Sequence, residues 1–397
     1  MDGKRTKAFL RATTLAFAWL LLGTAGFSAP RENDASRSET ASQPAPTPSG
    51  DPVPDGPRPR PAAPDSIPGH KFYPLPVFFY QPETGVGGGF GLLHTFRTAL
   101  DSRTSSNSLL CIYTEKKQYS MTLTPELYTS ANRWRLAGSL IGSRFPDFFY
   151  GIGNGTRAED KASFTLNQFR AGFEARRLIA PALYAGGTLY YQKATVHDPS
   201  RNLDAFGASI PARGGTEQVC AGAVLVLDDR DYPFCPTHGR LVTLSVSRFA
   251  KFLGSDLTST REELDARQYV PLGRGQTLAL QVLLDGTTGA RPFFDMANLG
   301  GANILRGVYE GRFRDRQRLV GQVEYRFPLL GPAGGAIFGG AGEVADRAGG
   351  FRARAVHAAG GAGFRWLLSC KESVRLRIDF GWAAGASGLY FAIGEAF

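Results

Sequence analysis

The groups in this chain with the reach to do chemistry are guanidinium and carboxylate side chains suited to ion pairing. Arg306 stands in an irregular, Gly-rich and charged stretch, Leu305-Arg306-Gly307-Val308-Tyr309. A planar guanidinium can bond a carboxylate bidentately, and Gly307 lets the backbone turn without a Cβ clash. Glu324, Glu343 and Asp379 are the carboxylates that could receive it; a guanidinium at the tip of a long loop could equally stay solvated. Catalytic sets are missing. No Gly-x-Ser-x-Gly, His-Glu-x-x-His or Gly-x-x-x-x-Gly-Lys-Ser/Thr pattern occurs. His70, His94, His197, His238 and His357 are scattered, with no ligand or base at motif spacing. The expectation is a non-enzymatic protein with no catalytic residue, no metal and no cofactor.

What must position these groups is a set of β-strands. Gly321, Val323, Tyr325 and Phe327 share one parity, and Gln322, Glu324 and Arg326 share the other. A side-chain period of two puts the sets on opposite faces. A soluble sandwich strand would look the same here, so another segment must decide. In Val374–Trp382, Val374, Leu376, Ile378, Phe380 and Trp382 form one face, and Arg375, Arg377, Asp379 and Gly381 the other. Two Arg and an Asp facing inward are costly in a dry core and natural in a hydrated lumen. Parity is read as placing Glu324, Glu343 and Asp379 on the lumen face. The 290–315 loop is then expected to enter the barrel and bring Arg306 to at least one of them.

Composition agrees with strands that cross a membrane. Hydrophobic residues make up 43% of 397, yet no apolar run reaches the length of a membrane-spanning helix. Glycine (49) and phenylalanine (28) are abundant, which favours an all-β chain with short strands. The net charge of +10 comes partly from the N-terminal region, and the remaining Arg are spread singly, so nucleic acid is not expected as a partner.

Along the chain, residues 1–29 read as a secretory signal peptide: Lys4, Arg5, Lys7 and Arg11, then the apolar Ala12–Leu22, then small residues. Residues 30–69 hold eleven of the 25 prolines and almost no aliphatic side chains, a disordered periplasmic linker too short for a folded domain. Residues 70–397 divide into about sixteen alternating segments, an even number suited to an antiparallel transmembrane β-barrel in the outer membrane. The long connections at 146–161, 196–213 and 290–315 fall at one end, the outer one, and tight turns at the other. His197-Asp198 and His357 lie near outer ends. Cys111, Cys220, Cys235 and Cys370 are far apart, and the sequence does not choose a pairing.

Over roughly residues 70–397 the chain resembles the bacterial surface antigen family, the superfamily of BamA- and TamA-type assembly barrels and two-partner-secretion transporters. The resemblance rests on four places. Gly300–Tyr309 with Val323-Glu324-Tyr325-Arg326-Phe327-Pro328-Leu329 is similar to the family's Arg-Gly-aromatic loop and following strand, with the aromatic delayed to Tyr309. Asp228-Asp229-Arg230-Asp231-Tyr232-Pro233, with Pro236 and Gly239, resembles a periplasmic turn recurrent in the family. Phe72–Phe96 looks like its first hairpin, and Leu376 through Leu389-Tyr390-Phe391 to Phe397 like its last two strands.

The resemblance implies an assembly or translocation barrel working on unfolded outer-membrane or secreted client proteins, with the lipid bilayer around it. No periplasmic POTRA domain is expected between signal and barrel, which suggests a separate periplasmic partner. Near Gly340 the family often has an Asp. Leu389, Phe391, Ile393 and Phe397 are read as sharing the outward parity, and a terminal Phe suits the family's closing-strand signal. A passive or gated pore for small solutes is the other reading of the same barrel. A soluble secreted binding protein would require the two-faced strands to be coincidence.

Overall fold

The computed structural model describes residues 69–81, 85–198, 200–207, 210–369 and 374–397. The expected signal peptide, nearly all of the expected linker, and Cys370 lie outside the described residues.

Sixteen strands form one antiparallel sheet in chain order. They are β1 (Lys71–Gln81), β2 (Gly85–Phe96), β3 (Ser105–Thr114), β4 (Tyr119–Tyr128), β5 (Trp134–Phe149), β6 (Ala162–Ala180), β7 (Leu183–His197) and β8 (Gly215–Asp228). The row continues with β9 (Gly239–Phe249), β10 (Ser259–Gly273), β11 (Gln276–Gly289), β14 (Gln317–Pro328), β15 (Ala333–Ala345), β16 (His357–Ser369), β17 (Val374–Ala383) and β18 (Ala386–Ile393). Two short strands, β12 (Ala297–Leu299) and β13 (Phe313–Asp315), pair with each other inside the connection from β11 to β14. About sixteen strands are expected from alternation, and the sheet among the described residues has sixteen. No ladder joins β1 to β18 among the described residues.

The strands are two-faced in the sense a bilayer rewards. On β14, Leu319, Gly321 and Val323 are exposed, whereas Val320, Gln322, Glu324 and Arg326 are buried. On β17, Phe380 and Trp382 are exposed, whereas Arg377 and Asp379 are buried. Apolar side chains outside and charges inside invert the pattern of a water-soluble protein. No helix among the described residues is long and apolar enough to cross a membrane.

Connections differ between the two ends. Those at 129–133, 181–182, 274–275 and 329–332 are short; those at 150–161, 198–214, 290–316 and 346–356 are long. The largest apolar core sits at the long-loop end, where Phe149, Phe164, Leu203, Ile210, Phe293 and Phe294 pack together. The Phe293 ring lies edge-on, 5.0 Å from Phe149 and 5.1 Å from Phe164 between centroids. Each such side chain contributes about 1.5–3 kcal/mol by leaving water. Two connections, 198–214 and 290–316, thereby pack onto the ends of β5 and β6.

Candidate functional site: a buried charge network under a docked loop

The connection from β11 to β14 is anchored by the β12–β13 ribbon, and its tip, 300–312, lies against β14, β15 and β17. Leu305 is buried with Leu283, Leu299, Val308, Val320, Val344 and Ala383. Around that apolar anchor the tip's backbone is tied down by polar side chains. Leu305 N–H donates to Gln322 Oε1 (2.9 Å), and Gln322 Nε2 donates to the Asn303 carbonyl (3.0 Å). Arg377 Nη2 donates to Asn303 Oδ1 (3.0 Å). Gly307 N–H donates to the Tyr390 hydroxyl (3.0 Å).

Gly307 adopts φ +114°, and a Cβ there would stand 2.5 Å from the Trp382 nitrogen. Only a residue without a side chain fits both the dihedral and the contact. Gly340 makes room from the other side: a Cβ on it would stand 3.0 Å from Leu305 Cδ2 and 2.9 Å from the Gly321 carbonyl oxygen. Gly340 is thus the seat of Leu305.

Docking the tip delivers Arg306 to two carboxylates. Its Nη2 lies 2.5 Å from Glu324 Oε2, and its Nη1 bonds Asp379 Oδ2. All three residues are sealed from water, at 2%, 0% and 0% exposure. The guanidinium also lies 3.5 Å from the Phe338 ring centroid, a cation–π contact that strengthens when desolvated. One planar group thereby bridges β14 to β17 while resting on β15.

The network is wider than Arg306. Glu324 also takes Arg326 (2.8 Å) and Arg365 (3.3 Å). Asp379 also takes Arg365 (2.5 Å) and Arg377 (3.4 Å). Glu395 holds Arg365 at 2.7 Å, Arg326 at 3.7 Å and the part-exposed Arg375 at 3.7 Å. Four buried cations therefore share three buried carboxylates. Each carboxylate has at least two partners, which is what makes their burial tolerable.

Of the residues singled out in the sequence, the structure brings together Leu305, Arg306, Gly307 and Val308 with Glu324 and Asp379. Tyr309 points elsewhere, its hydroxyl 3.4 Å from Asp147 and its ring 5.7 Å from that of Phe148. Glu343 is a correction. It pairs in register with Leu319, on the outward parity of β14, and directly paired residues share a face. It accepts the Arg352 N–H instead and makes no ion pair with Arg306.

The C-terminal residues need a second correction. Leu389 and Phe391 face outward, but β18 ends at Ile393 and Gly394 turns the chain at φ +87°. Phe397 is buried with Tyr269, Ala279 and Ala396, and its carbonyl oxygen accepts from Arg326 Nη2 (2.8 Å). Ile393 lines a cavity of about 340 Å³ together with Leu93 and Phe234. Strand parity does not extend past a positive-φ glycine.

Arg365 and Glu395 were not singled out from the sequence as members of the network. Arg365 pairs in register with Arg377, so alternation in β16, where Phe364 and Trp366 face out, carried a usable signal. Glu395 lies beyond the last strand and had none. Among the described residues no group of three His, Cys, Asp or Glu converges on a metal position. His357 stacks on Phe313 at 3.6 Å, and His197 Nε2 lies 3.0 Å from Asn167 Nδ2. Cys111, Cys220 and Cys235 form no disulfide with one another.

The chain matches the model of the Omp85 superfamily domain over residues 102–397. No curated protein matches it in sequence. Among solved structures it is similar to BamA from Haemophilus ducreyi lacking POTRA domains 1-3, at 13% identity and a TM-score of 0.54, over 82% of this chain and 70% of that one. It is also similar to CdiB from Acinetobacter baumannii, at 13% identity and a TM-score of 0.52, over 82% of this chain and 59% of that one. At such identity these likenesses speak to the fold alone.

Proposed function

The chain belongs to the Omp85 superfamily, whose non-enzymatic barrels reside in the outer membrane, and on that premise we propose that it assembles or translocates polypeptides there. Its cargo in this reading is an unfolded outer-membrane or exported chain, handed over by a separate periplasmic partner. The loop carrying Arg306-Gly307 serves as the plug of the lumen and as the brace that sets β14, β15 and β17 relative to one another.

The observation that carries this reading is the burial of Arg306, Glu324 and Asp379. Charges lining a standing aqueous pore are wetted by the pore water, and these are not. A passive solute channel gains nothing by sealing its charged wall under a loop. A barrel that must hold shape while a large chain engages it gains a rigid brace. The apolar cluster at the long-loop end supports the same reading, because it ties two long connections to the ends of β5 and β6.

The test sets capture against conductance. Purified full-length barrel, reconstituted in bilayers, is expected to bind urea-denatured outer-membrane proteins in pull-down and to show low basal conductance. Steady, ohmic conductance for small ions without capture of any denatured client would point to the pore reading instead.

A further inference from the structure

The connection from β8 to β9, residues 229–238, does more than reverse the chain. Its root is pinned to the 97–104 connection: Arg103 Nη1 lies 2.6 Å from Asp228 Oδ2, and Arg103 Nη2 donates to the carbonyls of Asp228 (3.2 Å) and Arg230 (2.9 Å). Arg230 Nε bonds Asp228 Oδ1 (2.9 Å), and its Nη1 donates to the Pro233 carbonyl (3.2 Å). Asp231 folds the segment back by accepting from Thr237 N–H (2.9 Å) and the Thr237 hydroxyl (2.5 Å). Between these ties the segment reaches the other margin of the sheet. The Phe234 carbonyl accepts the Glu395 N–H (3.2 Å), and the Pro236 carbonyl accepts from Arg326 Nη1 (3.4 Å).

Phe234 thus lines the same cavity as Leu93, Pro125 and Arg135 of the early strands and Ile393 of the last one. It touches β2–β5 on one side and β18 on the other, and no ladder joins the sheet's two margins, β1 and β18, among the described residues. β1 also carries Pro74 and Pro76, which have no N–H to give to any ladder. We infer that 229–238 is a displaceable latch: it closes the short-turn end of the lumen and holds the segment after β18 to the β2–β5 wall. Two of its far-side contacts are main-chain carbonyls, those of Phe234 and Pro236, which a passing extended chain can replace without breaking any strand. The inference goes beyond the proposed function and holds whether the cargo is a polypeptide or a solute.

Cys235 lies inside the latch at 2% exposure and reports its release. With Cys111, Cys220 and Cys370 changed to Ser in the full chain, the reaction of Cys235 with a charged maleimide measures opening, since only an exposed thiolate reacts. In reconstituted barrels the parent is expected to react far more slowly than urea-unfolded chain. Arg103→Ala should react about tenfold faster, an opening easier by ~1.4 kcal/mol. Phe234→Ala, which removes only the ring from the cavity, should do the same and raise the conductance, with heat-modifiable migration retained in both. It decides the matter alone if Arg103→Ala does not fold. Equal rates in parent and folded variants, or a parent as reactive as unfolded chain, would overturn the latch. Client capture is not read in this experiment, so its outcome is separate from that of the assembly reading.

Discussion

Gly307 lies so close to Trp382 that a Cβ on it would stand 2.5 Å from the Trp382 nitrogen and 2.6 Å from its carbonyl carbon. The loop and β17 meet backbone to backbone, and that contact sets the depth at which Arg306 enters its carboxylate pair. Gly307→Ala must relieve both the contact and a φ of +114°, a left-handed placement that alone costs an L-residue about 1–2 kcal/mol. The expected result is an undocked loop on an intact barrel. Protease cleavage within 290–316 should speed up, while the folded barrel still migrates ahead of the boiled chain in a gel.

Gly340→Asp tests the seat of Leu305 from the opposite side. The new side chain meets Leu305 Cδ2 and Gln322 Cγ, each 3.0 Å from the Cβ position. Leu305 is expected to leave its cluster, with the same gain in protease sensitivity. Overpacking of this kind typically costs about 1–3 kcal/mol. An unchanged digestion pattern would mean that Leu305 does not anchor the tip.

Charge removal should be asymmetric. Arg306→Ala leaves Glu324 with Arg326 and Arg365, and Asp379 with Arg365 and Arg377. The cost should therefore fall below the ~3–5 kcal/mol typical of stranding one buried partner. Glu324→Gln removes a partner from Arg306, Arg326 and Arg365 at once. It should lower the temperature at which folded migration is lost by more than Arg306→Ala does. Arg306→Lys should behave like Arg306→Ala, because an ammonium lacks the fork that reaches both carboxylates.

Phe397→Ala should weaken the barrel from inside. Phe397 is 3% exposed and packs on Tyr269, so its truncation is expected to cost about 3–5 kcal/mol. The readout is the same loss-of-migration temperature. A silent substitution would show that the segment after Gly394 contributes little to holding β18.

The strands were legible because a bilayer forces every one of them to alternate, and alternation is local. Val374–Trp382 could be read face by face without knowing its neighbours. Contacts that depend on register or on a turn were not. Glu343 sits one parity step from the face it was assigned, and only its pairing with Leu319 reveals that. Phe397 reverses direction because of Gly394, which the period of two cannot anticipate. Arg306 drew attention through its Gly and its loop, whereas Arg365, equally buried, sat unremarked in a glycine-rich strand. The 229–238 connection was recognisable as a turn, but its reach to Glu395 and Arg326 is long-range and leaves no mark on local spacing.

The central claim, that this barrel engages unfolded polypeptide, is tested most directly by photocrosslinking in the native envelope. A photoreactive residue is placed at Leu93, in the interior cavity, and newly exported proteins are pulse-labelled. The account predicts crosslinks to labelled outer-membrane or exported chains that appear within the pulse and fade on chase, and that persist when Arg306→Ala slows completion. Absence of any labelled client from Leu93, together with undiminished outer-membrane assembly in cells lacking the protein, would contradict it.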